Sequence, residues 1–168
     1  EQVCRDLAAE LDLDEPELLA ITSNPGVIRQ LGIEASSLEG YLFPETYRFS
    51  LMGTELDAVK TMVDQFNRIF DSVLEARAQE LGLTVHEAVT LASIIEGEAQ
   101  LDVERPVVAA VYHNRLKKRM RLQADPTVQY ALGGEPRRLF YKDYEVDSPY
   151  NTYRHRGLPP GPILSPGL

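Results

Sequence analysis

Apolar positions along the chain fall into helix-spaced groups, separated by capping and stopping signals. Asp14-Glu15-Pro16 puts an N-cap and a first-turn proline before Leu18, Leu19 and Ile21, which predicts a short helix. Asn24-Pro25 opens another that Gly32 can close. Residues 33–40 read as a polar connector. Residues 41–50 are aromatic-rich around Pro44 and predict a loop running into a short strand. Thr54 with Asp57 resembles a capping box and predicts one long helix to Leu81, stopped by Gly82. Thr84 with Glu87 repeats the pattern and opens a helix to about Gln100. Asp102 begins a further helix, with Pro106 near its start, that runs to about Arg119. Asp125-Pro126 caps a short last helix ended by Gly133-Gly134. Six of the 11 prolines lie beyond Gly133, so that stretch predicts an extended loop held by packing.

The helix over 84–100 is apolar around most of its circumference, through Val85, Ala88, Val89, Leu91, Ala92, Ile94, Ile95 and Ala99. The helix over 103–119 is also apolar over much of its surface. Helices of this kind sit centrally in a fold. The expected class is α+β but mainly α: a helical core around two buried helices, a few short strands, and a long Pro-rich C-terminal loop.

With 168 residues and 43% hydrophobic content, one domain can bury a sizeable core, which argues against disorder. The net charge of −9 hides an asymmetry. Residues 1–102 carry 20 acidic and 6 basic side chains, and residues 103–168 carry 6 and 11. The overall sign argues against a plain nucleic-acid binder but leaves room for an anion site in the second half. A single cysteine, Cys4, excludes an internal disulfide and any multi-cysteine metal site. His86, His113 and His155 show no metal spacing and receive no catalytic role. No cofactor or metal is expected. No apolar run approaches a membrane span, and the chain starts at Glu1 rather than Met, so it reads as a fragment of something longer.

Two carboxylates stand out near the end of the apolar helix. Glu96 and Glu98 lie roughly 160° apart on a helical wheel, so they do not form an acid/base pair facing one cleft. Each borders the apolar stripe, where desolvation keeps a carboxyl protonated to higher pH and suits a general acid. The competing reading is structural: a Glu here can simply pair with Arg105 or Arg115. The wheel alone does not choose between them.

Four segments decide the matter. They are Glu39–Tyr47 (EGYLFPETY); Leu91–Glu98 (LASIIEGE) with Glu104-Arg105 and Asn114-Arg115-Leu116; Met120–Leu132 (MRLQADPTVQYAL); and Ser148–Gly167 (SPYNTYRHRGLPPGPILSPG). In order and spacing they resemble the YceG-like endolytic murein transglycosylase family over residues 39–168. Residues 1–38 then form a helical lead-in, and 39–168 the catalytic domain. The resemblance implies cleavage of the MurNAc–GlcNAc bond inside peptidoglycan strands, without water, leaving 1,6-anhydro-MurNAc ends. It also implies a single-pass anchor and a LysM-like part elsewhere in the full-length protein, action on the outer face of the bacterial cytoplasmic membrane, and coupling to cell-wall synthases of the elongation machinery.

The family's catalytic glutamate is the second of the Ile-Ile-Glu-x-Glu motif, which falls on Glu98. Gln123, Asp125 and Thr127 are implied substrate contacts in the connector before the last helix, although Asp125 also reads as a plain N-cap. Asn151 and Tyr153 sit in a turn-rich loop, where an amide can bond an N-acetyl group and a tyrosine face can stack on a sugar. Glu96, Glu104, Asn114 and Arg115 are supporting residues, with Glu104 either holding Arg105 or capping the next helix. The chain departs from the family pattern at Ser165, where an Asn is common.

Three other readings compete. One is an ordinary muramidase in which Asp125 or Glu104 activates water. Another is a non-catalytic module that binds glycan or a wall-synthesis partner. The last is nucleic-acid binding through Lys117-Lys118-Arg119 and Arg121, disfavoured because no recognisable motif accompanies the cluster. A basic groove wall suits the carboxylates of stem peptides better.

Overall fold

The computed structural model describes residues 1–50, 52–134 and 137–167. Side-chain caps set the first helices. Helix α1 (Gln2–Leu11) leads to α2 (Glu15–Thr22), where the Asp14 carboxylate accepts the Glu17 N–H at 2.8 Å. Helix α3 (Pro25–Gln30) starts where Asn24 Oδ1 accepts the Gly26 N–H at 2.8 Å. Thr54 and Asp57 form the reciprocal capping box of α4 (Glu55–Ile69).

The expected single helix from 54 to 81 is two. Phe70 leaves helical geometry, and Asp71 turns extended and accepts the N–H groups of Val73 and Leu74 at 2.9 and 3.1 Å. This cap starts α5 (Ser72–Glu80). The strand expected within 41–50 is also absent: there is no strand among the described residues, and the class is mainly helical rather than α+β. Tyr41, Leu42 and Phe43 are buried instead, with Tyr41 edge-on to Phe66 at 4.9 Å.

The chain divides into two compact units. Residues 1–84 with Gly167 form the first, and Val85–Pro166 the second. The division by compactness falls after Thr84, elsewhere than the line between residues 38 and 39 where the family motifs begin. Residues on both sides of that line pack together: Leu38 is fully buried and donates its N–H to Thr22 O at 2.9 Å, and α2 lies against α1, α3 and α4. Burying side chains such as Leu18, Ile28, Val59 and Val63 contributes about 1.5–3 kcal/mol each.

The second unit is built on α6 (Val85–Glu98), which packs against α7 (Arg105–Lys117) and α8 (Asp125–Leu132). A 3₁₀ turn over Asp102–Glu104 precedes α7, and Lys118 ends it. The two helices differ in burial. In α6, Val89, Thr90, Leu91, Ser93 and Ile94 are buried. In α7 only Tyr112 is, while Val107 and Val111 face solvent, so just one of the two expected buried helices is central.

The Pro-rich segment after Gly134 is irregular apart from a 3₁₀ turn at Tyr141–Glu145; its residues 135, 136 and 168 lie outside the described residues. Polar side chains of α6 hold it. Ser93 Oγ accepts the Ile163 N–H at 3.1 Å, and His86 Nε2 bonds Pro160 O at 3.0 Å. Arg137 grips the buried Asp143 with two parallel bonds of 2.8 and 2.9 Å. No described helix is long and apolar enough to cross a membrane.

Candidate active site

All the candidate site residues lie in the second unit. The two glutamates of the motif go to different surroundings, as their angular separation requires. Glu96 pairs with Arg105 at 2.9 Å, and Arg105 also reaches Asp102 at 3.3 Å. Glu104 caps: its carboxylate accepts the N–H groups of Gln100 and Leu101 at 3.2 and 3.1 Å. One oxygen of that carboxylate thus takes both backbone bonds.

Glu98 keeps solvent access at the C-terminal end of α6. Protein packed around its carboxyl still dominates its titration: desolvation raises its pKa. The buried Tyr112 of α7 donates a hydroxyl hydrogen bond to it, which acts the other way. The nearby Asp125 carboxylate raises it further, and Arg115 lowers it. Arg115 also donates to Leu122 O and so ties α7 to the connector that follows. Tyr112 itself is held well above the ordinary tyrosine range by burial and by the charge of Glu98, so it acts as a donor and not as an anion.

Gly97 explains why Glu98 lies so near α8. A Cβ at this position would sit 3.0 Å from Pro126 Cβ and 3.5 Å from Leu164 Cδ2. The missing side chain lets the first turn of α8 come closer to the last turn of α6 than most Cβ contacts allow.

Asp125 is not the N-cap of α8. Ala124 holds that position without a side-chain bond, and Asp125 is the first helical residue. Its carboxylate accepts the Tyr153 hydroxyl at 2.6 Å and the Tyr144 hydroxyl at 3.3 Å. Those two rings meet edge to face at 4.5 Å. The local cap pattern is overridden because the loop brings two hydroxyl donors to the other side of the carboxylate.

Two expected substrate contacts are buried and hydrogen-bonded within the protein in this arrangement. Asn151 is fully buried: Nδ2 donates to Tyr144 O and Val146 O at 2.9 Å each, and Oδ1 accepts the Tyr153 N–H at 3.0 Å. Its amide is spent on the loop, leaving nothing to meet an N-acetyl group. Thr127 is also fully buried, and its hydroxyl bonds Ala124 O and Thr152 Oγ1 at 2.7 and 2.8 Å. Gln123 fits the expectation better. It is exposed and in the left-handed region at φ 52°, held by its N–H to Thr152 O at 3.2 Å. Tyr153 is half-buried, with its hydroxyl on Asp125. Asn114 is exposed on α7. The EGYLFPETY segment belongs to the first unit, as does a cleft lined by Leu11, Arg48, Phe49, Thr54 and Asp57 that contains no expected site residue.

Sequence reasoning missed Tyr112 and Tyr144. Tyr112 is the one buried residue of an otherwise half-exposed helix, and a buried tyrosine needs a hydroxyl partner. That was the available signal.

Fold and site together define a mainly helical protein built around one desolvated, tyrosine-bonded carboxylate. Residues 1–168 match the YceG-like family, and the chain belongs to it. The endolytic murein transglycosylase of Bacillus subtilis (strain 168) is 48% identical over 132 residues, which is 78% of this chain and 36% of that protein. The endolytic murein transglycosylase of Streptococcus pneumoniae (strain ATCC BAA-255 / R6) is 33% identical over 161 residues, 89% of this chain and 28% of that protein. The crystal structure of a yceG-like protein from Listeria monocytogenes superposes with a TM-score of 0.85 at 35% identity, covering 99% of this chain and 60% of that one. The chain thus spans about a third of the length of these curated relatives.

Proposed function

We propose that this chain carries the catalytic part of an endolytic peptidoglycan lytic transglycosylase, with Glu98 as acid and then base. The observation that supports this best is the setting of Glu98: open to solvent, with its pKa raised by the protein packed around its carboxyl, and hydrogen-bonded by a buried tyrosine. A hydrolase of glycosidic bonds normally needs two flanking carboxylates, one to activate water. Here the nucleophile belongs to the substrate, so one acid/base residue suffices.

In the first step Glu98 gives its proton to the glycosidic oxygen. The bond from that oxygen to C1 of the muramoyl sugar breaks, and its electron pair leaves with the departing sugar. In the second step the Glu98 carboxylate takes the proton of the muramoyl 6-hydroxyl, and O6 bonds to C1. The 1,6-anhydro end forms, Glu98 regains its proton, and no water is consumed. Holding the 6-hydroxyl against C1 makes the attack intramolecular, which is a large part of the advantage. Gln123, Asp125 and Tyr153 stand at the rim of this site as candidate groove residues. Such a substrate lies outside the cytoplasmic membrane, and coupling to cell-wall synthases follows from the family resemblance.

Mass spectrometry of digested glycan strands tests the reading. Anhydro-ended fragments are expected from the unmodified chain and none from Glu98→Gln. Reducing ends carrying an added water would replace the transglycosylase with a muramidase. Binding without any cleavage would leave a glycan-binding module.

A further inference from the structure

Asp125 has a setting that capping does not account for. Its carboxylate is fixed by two tyrosine hydroxyls, and among the described residues it has no ion pair with a cation. The fully buried Asn151 bonds the backbone of both Tyr144 and Tyr153, so the clamp itself is held from below. The close approach of Gly97 to Pro126 places Asp125 and Glu98 one residue either side of the same helix contact. Hydroxyl donors orient a carboxylate without cancelling its charge, whereas an arginine would do both.

We propose that Asp125, clamped by Tyr144 and Tyr153, is a positioning residue whose fixed negative charge biases Glu98 toward its protonated, proton-donating form. The groups facing Glu98 are Tyr112 and Arg115 from α7, Asp125 from α8 and Tyr153 from the loop. Tyr112 and Arg115 favour the Glu98 anion, and Asp125 opposes them. After Glu98 has given its proton away, two like charges stand together, and recovery of a proton from the 6-hydroxyl relieves them. The same charge thus keeps Glu98 in its acid form to higher pH and favours recovery of the proton in the second half, without Asp125 exchanging a proton or touching water.

The catalytic half of this inference rests on the acid/base reading of Glu98; the electrostatic half does not. Carbon-detected NMR titration of the glutamate carboxyls in the whole chain follows Glu98 directly, with its signal assigned by its loss in Glu98→Gln. In Asp125→Asn the Glu98 midpoint is expected at lower pH than in the unmodified chain. The alkaline limb of kcat/KM for strand cleavage should move down with it. Tyr153→Phe, which removes the shorter clamp bond and keeps the ring, gives a smaller shift in the same direction and serves if Asp125→Asn does not fold. An unmoved Glu98 midpoint in a folded variant overturns the proposal, even if activity falls, because a merely structural Asp125 would lower activity at every pH alike. If the midpoint moves but the unmodified chain never releases anhydro ends, the transglycosylase reading fails and the control of Glu98 by Asp125 stands.

Discussion

Gly97→Ala is the sharpest probe of how the site is assembled. The added methyl would meet Pro126 Cβ at 3.0 Å, Pro126 Cγ at 3.3 Å and Leu164 Cδ2 at 3.5 Å. Carbon contacts are comfortable near about 3.5–4.0 Å, so the first turn of α8 must give by a few tenths of an ångström. Overpacking of this kind costs about 1–3 kcal/mol. Alanine in a helix interior recovers about 0.5–1 kcal/mol relative to glycine. The net loss is therefore up to about 2.5 kcal/mol, a fall in Tm of up to several degrees for a chain this size. Turnover is expected to fall as well, because the displaced contact lies between Glu98 and Asp125. A misplacement of about 1 Å can cost about a hundredfold in rate, so a shift of a few tenths is expected to cost several-fold. Thermal melts paired with kcat on purified glycan strands separate the two effects. A Gly97→Ala protein with unchanged kcat and an unchanged Tm would refute the claim that this glycine sets the spacing of the site.

Two further outcomes follow from the charged groups. Tyr112→Phe keeps the buried ring but removes the hydroxyl that favours the Glu98 anion, so the alkaline limb of kcat/KM should move to higher pH, opposite to Asp125→Asn; a limb that stays put or moves down contradicts the hydrogen bond's role. Asp143 tests stability. The Arg137 guanidinium, helped by the Phe140 N–H, holds its carboxyl far below the ordinary aspartate value of 3.8. Its contribution is fully present above that value and is lost as pH falls toward the lower folded one. The Tm gap between the unmodified chain and Asp143→Asn should be constant near neutrality and shrink below pH 3.8. A gap that widens in acid would reverse the sign.

Much of the local structure was legible because caps act over three or four residues. Asp14, Asn24 and the Thr54–Asp57 pair each bond a backbone N–H within one turn, so sequence pattern and structure agree. The break at Phe70-Asp71 carried the same kind of signal, an Asp before Ser72. It was masked because Phe66, Phe70 and Leu74 continue the helical spacing across it; Phe66 and Phe70 stack at 5.6 Å. The aromatic run at 41–50 suggested a strand by composition, yet strand formation needs a partner edge, and Tyr41, Leu42 and Phe43 are buried instead, Tyr41 against Phe66 of α4.

The sequence by itself determined several helix starts, the central position of α6 and the family, and through the family motif it pointed to Glu98 over Glu96. These rest on spacing within one element or on contiguous motifs. Tertiary structure alone decided what surrounds Glu98. Tyr112 lies 14 positions away, Asp125 meets a tyrosine 28 positions later, and Asn151 spends its amide on a backbone that no local pattern predicts. Asp125 shows the reason most plainly. A carboxylate beside a helix start caps it when nothing better is in reach, and only the folding of a distant loop brings two hydroxyl donors that outcompete the backbone.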